Sequence, residues 1–157
     1  MRCLLTLFCL LPLFAYGTCW QQAGERYDID PLLLYAIGEQ ETGLRPNLIN
    51  RNKDGSYDIG LMQINSRHLP RLARRGIREE QLKRNTCVSV MVAAEILADF
   101  RQRLGGTWEA VGAYNAGTAP KAHATRVKYS RSVWVRYQRL VRQRLAERAD
   151  PERSTPG

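Results

Sequence analysis

Carboxylates are scarce in this sequence. Asp and Glu number 15 against 24 Lys and Arg, which leaves a net charge of +9. An excess of that size selects for anionic partners: nucleic acid, an anionic membrane surface or an anionic cell-wall polymer. Much of it follows Lys121, in Arg126, Lys128, Arg131, Arg136, Arg139, Arg142, Arg144 and Arg148, where a solvated helix face is the plain alternative. Histidine is scarcer still. His68 and His123 are the only two, and their spacing fits no metal-ligand pattern. Internal repeats are absent. Beyond the N-terminus, no run is long and apolar enough to cross a membrane. What remains is a chain of 157 residues with room for one domain.

The N-terminus is the exception. "MRCLLTLFCLLPLFAYG" carries Arg2, an apolar run from Leu4 to Ala15, and small residues at Ala15 and Gly17 before a cut after Gly17. Residues 1–17 are therefore expected to be a secretory signal peptide, too short for a stable membrane span. A short membrane anchor is the alternative. A lipoprotein is set aside, because Thr18 and Tyr16 spoil the approach to Cys19. Export to the periplasm excludes nucleic acid as a partner. Cleavage also removes Cys3 and Cys9, leaving Cys19 and Cys87 as an even pair in an oxidising compartment. A disulfide between them is expected. It would close a loop of roughly 70 residues, worth about 4 kcal/mol in the chain-entropy model. Two cysteines are too few for a structural zinc site, and no metal or cofactor is expected.

The rest of the chain is mainly helical in pattern. Asp30-Pro31 reads as an N-cap followed by proline at the first helical position. Leu34, Ile37 and Glu41 then share one face, Glu39 points away, and Gly43 with Pro46 ends the helix. Asn52 to Ser56 is a turn between two short strands, which predicts a hairpin over 48–60. Within it Asp58 lies on the face opposite Tyr57 and Ile59. "LMQINSRHL" is expected to bend into a short helix stopped by Pro70, and 78–84 to be a polar helix. Val88 to Leu104 shows a ridge of Val88, Val92, Ile96 and Phe100. Thr107 is expected to cap a helix through Trp108, Val111 and Tyr114, and "NAGTAP" to break it. Ser130 is expected to cap a last helix with Val133, Tyr137, Leu140, Val141 and Leu145 on its apolar side. The domain is placed at 18–148, with a disordered tail at 149–157.

Glu41 extends an apolar stripe at a helix C-terminus. Burial and the negative end of the helix dipole both raise its pKa. A protonated glutamate in an apolar pocket is a general acid for a glycosidic oxygen. Gln63, Tyr114 and Asn115 offer amides and a phenol to orient a sugar, and Met62 offers an apolar surface for a sugar face, with core filling as its alternative. Asp58 is either a second carboxylate facing the developing cation or a brace of the hairpin. A calcium loop over Asn50 to Asp58 fails, because Leu61 stands where the bidentate glutamate belongs.

The motifs "EQETG", "GLMQIN" and "AYNAG" occur in that order. In this the chain resembles the soluble lytic transglycosylases of the lysozyme-like superfamily, over roughly Cys19 to Tyr129. The resemblance implies a lysozyme-like fold, mainly α (α+β), with one small antiparallel β-hairpin as a cleft wall. It implies Glu41 as the catalytic acid and base, Met62 and Gln63 as groove residues, and Tyr114 with Asn115 holding the glutamate and the substrate. Tyr129 is matched to a further aromatic near the glutamate. Thr42 departs from the family's usual serine but keeps the hydroxyl. Compactness, basicity and the Cys19–Cys87 pair resemble the small specialised members that accompany type III and type IV secretion, conjugation and type IV pilus systems. The implied partners are peptidoglycan glycan strands and components of such an apparatus, with the enzyme a monomer. "NRNKDGSYDIGLMQINSR" also resembles the catalytic hairpin of c-type lysozymes, with Glu41 and Asp58 at the same interval as their two carboxylates. Two chemistries stay open: release of a 1,6-anhydro product, or hydrolysis. A glycan-binding module without activity is the rival from another class.

Overall fold

The computed structural model describes residues 18–150. The expected signal peptide, with Cys3 and Cys9, and the tail from 151 onward lie outside the described residues. Among the described residues, seven α-helices accompany a small three-stranded antiparallel sheet. No helix among the described residues is long and apolar enough to cross a membrane.

Helix α1 (Cys19–Tyr27) was not visible in the sequence pattern. A capping box starts it: Thr18 Oγ1 accepts from Gln21 N–H, and Thr18 N–H donates to Gln21 Oε1 at 2.7 Å. Helix α2 (Pro31–Thr42) matches expectation. Asp30 Oδ1 accepts from Leu32 N–H at 2.8 Å, and Gly43 ends the helix at φ 61°. Strands β1 (Ile49–Arg51) and β2 (Tyr57–Ile59) form the expected hairpin. A third strand, β3 (Ile64–Asn65), pairs with β2 where a bend into helix was expected. Pro70 does not stop a helix. After a 3-10 turn over Ser66–His68 it sits in the first turn of α3 (Leu69–Ala73), where its missing N–H costs nothing.

Helix α4 (Glu79–Arg84) packs beneath β2. Gly60 makes that approach possible: its φ is 71°, and a Cβ there would stand 2.2 Å from the Leu82 carbonyl oxygen. Helix α5 (Thr86–Leu104) is the central rod, with Val90, Val92, Ala93, Ala94, Ile96 and Leu97 buried. The Cys19–Cys87 disulfide ties the start of α1 to the start of α5. Helix α6 (Thr107–Ala116) begins after Gly106, and Thr107 makes no capping bond. Helix α7 (His123–Ala149) starts seven residues before Ser130. Ser130 lies inside it and donates to the Trp108 carbonyl at 2.8 Å, so its hydroxyl fastens α7 to α6. Gly112 lets the two helices close: a Cβ there would be 2.8 Å from Arg126 Cβ. On α7 only Tyr129 and Val133 are buried, while Leu145 is 58% exposed.

Candidate active site

The C-terminal turn of α2, the sheet and the C-terminal end of α6 enclose a cleft of about 610 Å³. Glu41, Asp58, Gln63, Tyr114 and Asn115 all line it, together with Ile96 and Phe100 of α5. The expected ridge of α5 thus forms part of the cleft floor as well as the core.

Glu41 is largely buried and its pKa is raised to about 7. Loss of water is the chief cause. A hydrogen bond donated by the Tyr129 hydroxyl to Glu41 Oε1 pulls the other way, and the Asp58 charge pushes up again. Tyr129 is 7% exposed and is brought to the site by the inner face of α7. Burial and the Glu41 charge hold its phenol protonated, well above the usual tyrosine range. Near neutral pH the Glu41 carboxyl therefore exchanges protons readily.

Asp58 is positioned by the register of the sheet. It pairs with Asn50 on one side and Asn65 on the other. Each carboxylate oxygen receives an amide: Asn65 Nδ2 donates to Oδ1 at 2.7 Å, and Asn52 Nδ2 donates to Oδ2 at 3.0 Å. Ser56 Oγ accepts from both amides and donates to Asp54 Oδ1 at 2.6 Å. Asp54 in turn pairs with Arg67 at 2.7 Å. Asp58 is thereby held as an oriented acceptor facing the same cleft as Glu41. Its amide partners were not foreseen, since they depend on strand register and on the unpredicted β3. His68 also lines the cleft unforeseen, with its pKa lowered by burial and by Arg71.

Four expected contact residues sit differently from the sequence reading. Met62 is fully buried, so its thioether fills the core and offers no surface to a sugar. Thr42 is 4% exposed, and its hydroxyl donates to the Leu61 carbonyl at 2.9 Å, which fastens α2 to the segment after β2. Gln63 reaches the cleft wall, but its amide is engaged. Nε2 donates to the Gly60 carbonyl at 2.8 Å, and Oε1 accepts from Asn50 Nδ2 at 2.7 Å. Its backbone sits at φ 50°, a left-handed conformation rare for a side chain of this kind. Tyr114 does not hold Glu41. Its hydroxyl donates to the Met62 carbonyl at 2.7 Å, and burial raises its pKa well above the usual value. Asn115 is exposed at the rim.

The structure thus brings a glutamate poised near neutrality, a second carboxylate and a tyrosine bonded to the glutamate together at one cleft. The model of the transglycosylase SLT domain matches residues 18–137. The chain belongs to that family. It is an enzyme of the peptidoglycan lytic transglycosylase class, with a lysozyme-like fold. Among curated relatives, invasion protein IagB of Salmonella typhimurium is 49% identical over 126 residues, covering 80% of this chain and 79% of the relative. Protein IpgF of Shigella flexneri is 45% identical over 140 residues, covering 89% of this chain and 92% of the relative. Among solved structures, an inactive mutant of the lytic transglycosylase Slt of Pseudomonas aeruginosa superposes with a TM-score of 0.63. At 21% identity that likeness speaks for the fold, over 84% of this chain and 24% of the larger protein.

Proposed function

We propose that this transglycosylase cleaves the MurNAc–GlcNAc bond of peptidoglycan with Glu41 as sole proton donor and acceptor, releasing a 1,6-anhydro product. Glu41 gives its proton to the glycosidic oxygen and the bond to the MurNAc anomeric carbon breaks. The substrate's N-acetyl oxygen shields the resulting cation. Glu41, now a carboxylate, takes the proton from the sugar's 6-hydroxyl as that oxygen closes on the anomeric carbon. Protons balance and no water is consumed. Asp58 stabilises the positive charge that develops on the ring, and Tyr129 keeps Glu41 aimed. Asn115 and the cleft face of α5 are the remaining candidates for substrate contact.

The observation that carries this reading is the Glu41 carboxyl, raised to about 7 by burial in the cleft that Asp58 faces. The oriented Asp58 keeps hydrolysis as the second reading, because a fixed carboxylate can equally assist attack by water. Mass spectrometry of muropeptides released from purified sacculi separates the two. The anhydro product is lighter than the hydrolytic one by one water, and a population of reducing-end muropeptides would transfer the enzyme to the muramidases.

The setting we infer is local opening of the periplasmic wall for a secretion, conjugation or pilus machine. The leader-like N-terminus, the small single-domain form and a relative called an invasion protein support it. A deletion strain with an intact envelope but an unassembled apparatus would bear this out. Normal assembly in that strain would count against it.

A further inference from the structure

Helix α7 has a second face that the fold leaves uncovered. Its inner face carries Tyr129 to Glu41, Val133 to the core, Tyr137 to Asp30 at 2.6 Å, and Arg139 to Glu39. Further round the helix runs a different stripe, at whose edge Trp134 also packs against Trp108 of α6 with ring centroids 4.8 Å apart. Val127, Trp134, Val135 and Leu145 are 41%, 43%, 62% and 58% exposed. They are four of the five large apolar side chains found exposed among the described residues; the fifth is Leu104. Val127 and Leu145 are five turns apart at about 3.6 residues per turn, and therefore in line, over a span of about 27 Å. Val127, Trp134 and Val141 repeat at heptad spacing, as do Arg131, Gln138 and Leu145. A seam of this kind is what a helix presents to another helix.

The charge around the seam selects the occupant. Between Glu109 and Glu147 the chain has no Asp or Glu. Lys128 and Arg142 therefore flank the seam, and Arg131 stands within it, with no acidic residue on their own helix before Glu147 to offset them. Arg139 does not belong to this set, because it is paired with Glu39. A second copy of this chain would bring like charges together along the whole contact. A lipid surface fits poorly, because Arg131 and Gln138 interrupt the apolar line that would have to enter the acyl region. We infer that the outer face of α7 docks an acidic amphipathic helix of a partner protein, with that partner's apolar residues between Val127, Trp134, Val135 and Leu145 and its carboxylates against Lys128, Arg131 and Arg142. This deepens the reading that a machine places the enzyme at the wall, and rests on it only for where the partner comes from.

The test uses a three-heptad synthetic helical peptide with Leu at the seam positions and Glu beside them, fluorescently labelled, and its twin with Lys in place of Glu. Anisotropy of each is followed against the mature protein at low and high salt. The Glu peptide binds, more weakly as salt rises, and the Lys peptide does not. Reversing charge in the double variant Arg131→Glu with Arg142→Glu lowers affinity for the Glu peptide by about tenfold, two rim attractions having become repulsions. Val135→Ser with Leu145→Ser weakens binding at both salts and serves if the charge variant melts early. Turnover of sacculi in the same samples stays at the wild-type level, since these side chains face away from the cleft, so docking and catalysis are scored separately. Equal binding of both peptides, or of neither, overturns the inference. So does binding to anionic phospholipid vesicles without binding to the peptide, and so does a dimer in sedimentation.

Discussion

Replacing Glu41 by Gln should stabilise the protein, and only away from acid. The Glu41 carboxyl titrates near 4.5 when exposed and near 7 in the fold. A group whose pKa is raised by folding contributes most below its unfolded value, and that contribution is lost as pH rises through the folded value. At about 1.4 kcal/mol per tenfold, the gap is worth roughly 3 kcal/mol. Below about pH 4 both side chains are neutral and the two proteins should be close in stability. Above about pH 8 the wild type must hold a carboxylate stripped of water, whereas the amide can keep a hydrogen bond with Tyr129. For a domain of this size that difference corresponds to roughly 10 °C in melting temperature. The assay is thermal unfolding of both proteins by circular dichroism at pH 4, 6 and 8. Other titrating groups are common to the pair and drop out of the difference. A difference that stays flat from pH 4 to pH 8 would mean that desolvation does not govern Glu41, and the account of its acidity would fail.

Other substitutions should leave distinct marks. Turnover should decline as pH rises past about 7, where Glu41 loses its proton. Tyr129→Phe removes a bond that lowers the Glu41 pKa, so its alkaline limb should move up while the maximal rate falls; an unmoved limb would mean that the bond does not act on Glu41. Asp58→Asn removes a charge that raises the Glu41 pKa, so its limb should move down and its rate should drop sharply without vanishing. Full activity in that variant would make Asp58 a hairpin brace. Cys19→Ala with Cys87→Ala should lower stability in urea melts by about 2–4 kcal/mol; an unchanged midpoint would count against a bridge in the mature protein.

What the sequence disclosed and what it hid differ in kind. The α2 helix was legible because each of its signals is local: Asp30 as cap, Pro31 after it, Gly43 at the end. That alone placed Glu41 at the tip of an apolar stripe. The hairpin was legible from Asn52 to Ser56, which set Asp58 on its own face. Helix α1 was missed because its cap, Thr18 with Gln21, stands at the edge of the expected leader and its own residues are mostly polar. The start of α7 was missed because His123 has no capping side chain before it, whereas Ser130 has the chemistry of a cap but spends its hydroxyl on Trp108. Met62, Thr42 and Gln63 have suitable chemistry for a sugar site, yet long-range packing turned them inward or engaged their polar atoms. The amides on Asp58 come from residues six and seven positions away in the chain, and only strand register brings them to it. Arg139 counted in sequence as free positive charge, yet it belongs to an ion pair between α7 and α2.

The central claim is that one glutamate does the proton transfers of peptidoglycan cleavage. Its most direct test is the release of soluble muropeptides from purified sacculi by wild type, Glu41→Gln and Glu39→Gln, each first shown to be folded. The wild type should release anhydro-muropeptides. Glu41→Gln should lose that release by about 10²-fold or more while still binding sacculi. Glu39→Gln should stay near the wild-type rate, because Glu39 pairs with Arg139 outside the cleft. Equal loss in the two variants, or turnover surviving in Glu41→Gln, would contradict the account.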